Sequence, residues 1–501
     1  MTMDFSGENP FGEALKRQWL TDLENSTDFW NHTPQLQQIA YTAAKKRVGA
    51  WGLLLMVQQH QASHVDATHV LVDVDGMPGA TLAEGTALSG YVGLVADTGG
   101  GKNVVFRTAT SLVKPATSPI AGGTGQGIIK SFADTQKVTE ADKVARYKLV
   151  FQQHVTVIHC DEIDSLNAEF ARDASSTDAT LRSVWTGGVV GNFTGDVNRR
   201  VTIPANMYRL HGIWCVQPTR AGEIMSRAEG GTPQRWVWAP AFESRVRAMA
   251  PKRTAPPANV TFPLPVWNTG TNQFGTSGGQ LPSVWSDGEP VPAPRWITWN
   301  SSPKLQQWYA DAIAEREKLL DHEPFEPPTP EEESKRQQAA MSSHTILTTI
   351  KTAVHMAWLH GRREPTDLDF ELALVQMEVS RACVAGVWQR LAYAQSGETT
   401  TKGKQRGEEM HAADIARDNA MCSETQQLAD SLWTKLATDG PRSIAALRGG
   451  LSHRRKKLAK DAREFLEDNG RVGLDRFNQL WAFGPTGAPV APKGFTYEPP
   501  V

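Results

Sequence analysis

Cysteine is scarce in this 501-residue chain: Cys160, Cys215, Cys383 and Cys422 lie far apart, with no CxxC spacing. That excludes a disulfide framework and a cysteine zinc site. The four read as reduced, with Cys160 and Cys215 as small core residues of strands. No apolar run is long enough to span a bilayer, which excludes a membrane helix. The first residues include Asp4 and Glu8 and no long apolar core, so a secretory signal is not expected. An excess of either charge is also missing: 52 Lys/Arg face 54 Asp/Glu, a net of −2. A globally basic nucleic-acid coat is thereby excluded, and any such surface must be local. A soluble cytoplasmic protein is the expectation. Hydrophobic residues make up 40% of the chain, enough for sizeable cores, and the length suggests about two to four domains.

The most informative stretch is YVGLVADTGGGKN, Tyr91 to Asn103. It reads as a buried strand to Ala96, a turn from Asp97 to Gly101, then a helix opening at Lys102. Three consecutive glycines let the backbone wrap an anion, and the helix N-terminus adds N–H groups and a favourable dipole. Asp97, Thr98, Gly99, Gly100, Gly101, Lys102 and Asn103 are therefore candidate phosphate-holding residues, with Lys102 reaching the outer two phosphates. Two positions depart from the usual pattern. Ala96 stands where glycine is expected, and Asn103 replaces the serine or threonine hydroxyl.

A second stretch supports the first. VTVIHCDEIDSL, Val155 to Leu166, is an apolar strand ending in Asp161 and Glu162. Carboxylates at the end of a parallel strand lie beside the phosphate loop in such folds. Asp161, with the Asn103 amide oxygen, is the candidate Mg²⁺ site. Glu162 is the candidate to orient or deprotonate an attacking water. Asp164 reads as a helix N-cap. Further on, YRLHGIWCV (Tyr208 to Val216) reads as a buried strand ending in Gln217. That glutamine either contacts the γ-phosphate or the water, or bonds to backbone. Arg235 precedes an alternating Trp236-Val237-Trp238 strand. It is either a rigidly presented cation for a neighbour's ATP or a structural salt-bridge partner.

Around these lie simpler signals. Residues 1–65 read as helical, with Thr33-Pro34 as an N-cap and first turn and Leu36, Ile39, Ala40 and Ala43 at helical spacing. This segment reads as a collar on the core at 66–250. SPIAGGTGQGIIKSF, 118–132, reads as a mobile loop. VVGNFTGDVNRRVTIP, 189–204, reads as a hairpin carrying Arg199 and Arg200, which are either a nucleic-acid contact or a solvated pair on an edge strand. Residues 251–300 form a Pro/Gly-rich insertion, and 324–334 a linker. Helices at 301–395 hold Lys351 and Arg381, which are either a second nucleotide sensor or plain charges. A polar linker (396–420) precedes a unit at 421–485 that reads as helices followed by a two-stranded wing. From Gly440 to Arg471 nine Lys/Arg face four Asp/Glu. Arg454, Arg455, Lys456, Lys457 and Lys460 lie mostly off the apolar face of one helix, so that helix is either a DNA-phosphate contact or a solvated face. The tail, 486–501, reads as extended.

The succession FWNHTPQLQQIAYTAAKKRVGAWGLL, ADTGGGKN, GTGQGI, CDEID, LRSVWTGG, YRLHGIWCVQPTRAG and GTPQRWVWAPA resembles the P-loop ATPases of phages and mobile elements. These belong to the AAA+ class and are often of the replicative helicase or primase-helicase type. HTILTTIKTAVHMAWLHGR with DLDFELALVQMEVSR resembles their helical lid. The resemblance covers about residues 28 to 390. It implies an α/β fold: a P-loop AAA+ core with a parallel sheet flanked by helices, an N-terminal helical collar, a helical lid and a C-terminal winged-helix domain. It implies ATP and Mg²⁺ as ligands, DNA as partner (single-stranded or forked), self-association into a ring, a hexamer by analogy, and contact with replication proteins. For a phage protein the place would be the host cytoplasm. Hairpins like that bearing Arg199 and Arg200 point into the channel of such rings. The expected activity is a DNA helicase. The rival is a nucleotide-dependent switch such as a loader, scaffold or defence ATPase.

Overall fold

The structure is a computed structural model that describes residues 17–72, 85–139, 145–172, 175–192, 201–228, 230–243, 255–264, 295–320, 329–449 and 451–500. It divides into two units, 1–394 and 395–501. The helices are α1 (Arg17–Thr27), α2 (Pro34–Lys46), α3 (Ala50–Ala62), α4 (Lys102–Leu112), α5 (Gly125–Phe132), α6 (Asp164–Phe170), α7 (Thr177–Thr186), α8 (Gly222–Met225), α9 (Pro303–Leu320), α10 (Pro330–Leu359), α11 (Asp367–Asp439), α12 (Ile444–Gly449) and α13 (His453–Asp468). The strands of the first unit are β1 (His69–Leu71), β2 (Thr86–Ala87), β3 (Gly90–Val95), β4 (Ala133–Thr139), β5 (Ala145–Phe151), β6 (Val155–Cys160), β7 (Val190–Asn192), β8 (Val201–Ile203), β9 (Arg209–Val216), β10 (Trp236–Pro240) and β11 (Arg295–Ile297). Those of the second are β12 (Arg442–Ser443), β13 (Val472–Leu474), β14 (Gln479–Phe483) and β15 (Pro489–Val490).

The first unit is built on an all-parallel sheet in the order β10-β3-β9-β6. Its strands are near-continuous apolar runs because helices cover both faces. Side chains alternate between two cores. Val92, Leu94, Ile213, Cys215, Val237 and Ala239 face α3. Tyr91, Leu210, Trp214, Trp236 and Trp238 face α5, α6 and α7. On that face Trp214, Trp236 and Trp238 stack, with ring centroids 4.4 and 5.3 Å apart. Gly93 and Gly212 seat these rings, since a Cβ there would lie 2.4 Å from Trp238 and 2.0 Å from Trp214. A parallel bridge between Ile120 and Ile158 extends the sheet beyond β6.

Several expectations are corrected. The N-terminal segment joins the core of the first unit. All 13 residues of α3 are buried, and the helix packs on the sheet as part of the core. Its polar residues hide this in the sequence, but each has a distant partner. Gln58 meets Gln376, Gln59 accepts from His211 at 2.8 Å, and His60 meets the Val113 carbonyl at 2.8 Å. The 118–132 stretch is not a loop throughout. Thr124 caps α5 by accepting from Gly127 N at 3.0 Å, and Ile128, Ile129 and Phe132 are buried. Residues 396–409 are helical inside α11, because Glu, Lys, Gln and Arg favour helix enough to carry the isolated glycines. Asp164 is the first residue of α6 rather than its N-cap, which is Ile163. The β4–β5 hairpin, pairing Ala133 with Phe151, was not expected. Most of the 251–300 insertion lies outside the described residues.

The second unit packs Leu428, Leu432 and Leu436 of α11 with Leu447, Leu458, Ala462, Leu466, Val472 and Leu480. The expected two-stranded hairpin forms, with Val472 opposite Ala482. Asp475 fixes its turn by accepting from Phe477 N (2.9 Å), Gln479 N (2.8 Å) and the Trp481 indole (2.8 Å). The tail is ordered: β15 pairs with β14, and Tyr497 meets Trp481 and Phe483 edge-on. Among the described residues no helix is long and apolar enough to cross a membrane.

Acid should weaken the first unit. Burial holds His60 and His344 down to about 4 and His69 and His355 down to about 3. Their unfolded value is about 6.5, so stability is full above that pH. As pH falls toward 4 the unfolded chain takes up protons that the folded one refuses. The loss is about 1.4 kcal/mol per pH unit for each such histidine. Urea midpoints at pH 7.5 and 5 should therefore differ strongly, and equal midpoints would contradict this account.

Candidate phosphate site at the glycine loop

The loop leaves the carboxyl end of β3 and enters α4. Gly100 N donates to the Asp97 carbonyl at 2.9 Å, closing a four-residue turn. Its third residue, Gly99, has φ 74°, which such a turn requires of glycine, and Gly101 has φ 80° at the helix N-cap. A Cβ at Gly100 would lie 2.6 Å from that of Ala96. The first turn of α4 leaves N–H groups without intrahelical acceptors. Lys102 opens this helix. Its Nζ is shielded from solvent and has no hydrogen-bond partner among the described residues. A buried ammonium without an acceptor is costly, and an anion in the loop would satisfy it.

β9 lies between β3 and β6, so its end meets both the loop and the acidic corner. Ala96 N donates to the Val216 carbonyl at 3.0 Å, and Ile163 N to the Cys215 carbonyl at 3.0 Å. Burial pushes the Cys215 thiol up to about 12, with Lys102 opposing and Asp161 and Glu162 adding to the rise. These charges therefore converge on one strand end. Glu162 is exposed, while its carbonyl accepts from Ser165 Oγ at 3.2 Å. Gln217 accepts from Thr98 Oγ1 at 3.4 Å, which brings it to the loop. The Asp161 side chain is 61% exposed and Asn103 is exposed on the first turn of α4. One carboxylate and one amide oxygen suit Mg²⁺, which keeps several waters and shares ligands with phosphates. No cluster of three or more His, Cys, Asp and Glu exists among the described residues, so a self-sufficient protein cage is not what they offer.

Two cavities flank the glycine turn. One, of about 500 Å³, is lined by the loop, Pro218, Phe242, Cys383, Val387 and Arg390. The other, of about 470 Å³, is lined by Lys46, Arg47, Val48, Gly99, Gly100, Gly101 and Phe242. Arg390 donates to Asp97 Oδ2 at 2.7 Å, so α11 supplies a cation at the mouth of the first cavity. The sequence reading missed it and considered Lys351 and Arg381 instead. Lys351 is buried, donating to the Trp185 carbonyl at 2.6 Å with its Nζ 3.5 Å from the Trp185 ring centroid, and Arg381 is exposed on α11. A signal existed: Cys383, Val387 and Arg390 fall on one helical stripe.

Arg235 stands apart from the loop of its own chain. It sits in a 3₁₀ turn at the amino end of β10, whereas the loop follows the carboxyl end of the parallel β3. Its guanidinium is buried, donates to the Gly230 carbonyl at 2.8 Å and lies 5.4 Å from the Trp185 ring centroid. Burial and Arg182 bring its pKa down to about 10. The guanidinium is thus spent on contacts within its own chain. Arg235→Ala should cost on the order of 2 kcal/mol of stability, read by chemical denaturation. Mixing it with Lys102→Ala subunits should recover no activity, and recovery would restore the trans role.

Arg199 and Arg200 lie outside the described residues. The strands bounding them pair as a hairpin stem, Val190 with Ile203 and Asn192 with Val201. On α13, Arg455, Lys456, Lys457 and Lys460 are exposed, and Lys460 lies 3.5 Å from Glu464. The Arg454 side chain is outside the described set. No protein-family model matches the chain, and no curated protein sequence is significantly similar to it.

Proposed function

We propose that the chain is a P-loop AAA+ ATPase that drives work on DNA, with a phage-type replicative helicase acting as an oligomeric ring as the fullest form of that reading. The observation that carries it is the buried, unpartnered Lys102 Nζ at a glycine loop, with Asp161 and Glu162 across one intervening strand. The strand order β10-β3-β9-β6 with the Ile120 bridge supports the class.

Lys102 and the loop N–H groups hold the outer phosphates of ATP. Asp161 and Asn103 hold Mg²⁺, which when bound neutralises phosphate charge. Glu162 takes a proton from a water whose oxygen attacks the γ-phosphorus, and the bond to the β–γ bridging oxygen breaks, releasing ADP. Gln217, tied to Thr98, positions that water. The cavity beside Lys46, Arg47 and Val48 suits the base and ribose. In the second unit, the helices and hairpin have winged-helix order, and Arg455, Lys456 and Lys457 offer phosphate contacts.

The second reading is a nucleotide-dependent switch. Two observations favour it: Asn103 lacks a hydroxyl, and the Arg235 guanidinium is buried within its own chain. ATP turnover measured with and without single-stranded and duplex DNA, followed by forked-duplex unwinding, separates the two. The motor predicts DNA-stimulated turnover and unwinding. ATP binding with no response to DNA would leave the switch.

A further inference from the structure

β6 ends in His159-Cys160-Asp161, and alternation along the strand places His159 and Asp161 on one side and Cys160 on the other. Cys160 buries in the core formed with α5, α6 and α7. His159 turns toward α4 instead. Its ring stacks on Phe106, with centroids 3.8 Å apart and planes 15° from parallel. Phe106 stands one helical turn beyond Lys102, on the same face. It is held from behind by His60 of α3, edge-on at 5.6 Å. His159 Nδ1 lies 3.4 Å from Asp161 Oδ1, with the histidine side chain 10% exposed and the aspartate 61%. Burial holds the His159 pKa down, so the ring meets the carboxylate as a neutral imidazole.

We propose that His159 is a positioning residue that sets the direction of the Asp161 carboxylate and, through Phe106, keys it to the helix bearing Lys102. The inference rests on the phosphate-loop reading. An exposed strand-end aspartate otherwise rotates freely, whereas a clamped ring cannot follow it. The carboxylate is therefore restrained where Nδ1 stands, and metal binding meets a pre-set ligand.

The test is equilibrium binding of a fluorescent ATP analogue to the full chain, titrated with Mg²⁺ and repeated in EDTA. His159→Leu removes the nitrogen and keeps an apolar side chain. It should raise the half-saturating Mg²⁺ concentration by about tenfold, with affinity in EDTA unchanged. His159→Asn, which keeps a donor near Nδ1, should restore most of the Mg²⁺ response. Phe106→Leu should act like His159→Leu and serves if the latter does not fold. An unchanged Mg²⁺ response in either folded leucine variant overturns the proposal, as does an equal loss in EDTA, which marks a general structural role. Absence of nucleotide binding by the unaltered chain, or full binding by Lys102→Ala, overturns the phosphate-loop reading itself.

Discussion

Lys102→Ala should lose nucleotide binding by about 100-fold or more without losing stability. The two halves of this result belong together. Charge-assisted hydrogen bonds are worth about 1.5–3 kcal/mol each, so a lysine that makes two of them to phosphate accounts for two or more decades of affinity. Among the described residues the same ammonium is shielded from solvent and has no hydrogen-bond partner. Its removal therefore relieves a desolvation cost, and the free chain should be as stable as before or more so. A lysine serving the fold would behave in the opposite way. Calorimetric titration with ATP analogues and urea unfolding of the same samples measure both. Retained affinity together with lost stability would make Lys102 structural and the loop an ordinary turn.

Glu162→Gln should slow ATP turnover by about 10²–10⁴-fold while nucleotide still binds. The substitution keeps size and removes only the ability to accept a proton. The backbone here is held independently of the carboxylate, by Ile163 N donating to the Cys215 carbonyl and by Ser165 Oγ donating to the Glu162 carbonyl. The exposed side chain can therefore be changed without moving Asp161. Single-turnover hydrolysis alongside equilibrium binding separates chemistry from affinity. Near-normal turnover in Glu162→Gln would remove it from the proton-transfer role and leave Gln217 as the residue to test at the water.

Much of the site was legible because its parts are local. A buried strand, a glycine turn and a helix start are written in consecutive residues from Tyr91 to Asn103, and an apolar strand ending in two acids in those from Val155 to Glu162. The alternation of Val92 and Leu94 with Tyr91 states which residues face which core. The two-stranded hairpin of the second unit was equally plain, since both strands and the Asp475 turn fall within a short run.

Other features were hidden for identifiable reasons. The α3 glutamines look like a solvent face until their partners, Gln376 and His211, are known. A glycine-rich run conceals α5, whose buried Ile128, Ile129 and Phe132 outweigh poor propensity. A polar composition conceals the helix at 396–409.

By itself, then, the sequence determined the strand, glycine turn and helix start around Lys102, the acidic strand end, the apolar strands of an α/β core and the basic helix of the second unit. Each follows from short-range geometry: side-chain period, turn chemistry and helix capping. Only the tertiary structure decided that β9 runs between the loop and the acids, that Gln217 reaches Thr98, and that Arg390 closes on Asp97 from 293 residues away. It also decided that Arg235 turns inward and that His159 locks onto Phe106. The physical reason is that strand order and helix docking bury apolar faces over long sequence separations. The same packing then fixes which polar groups meet and which ammonium is left without an acceptor.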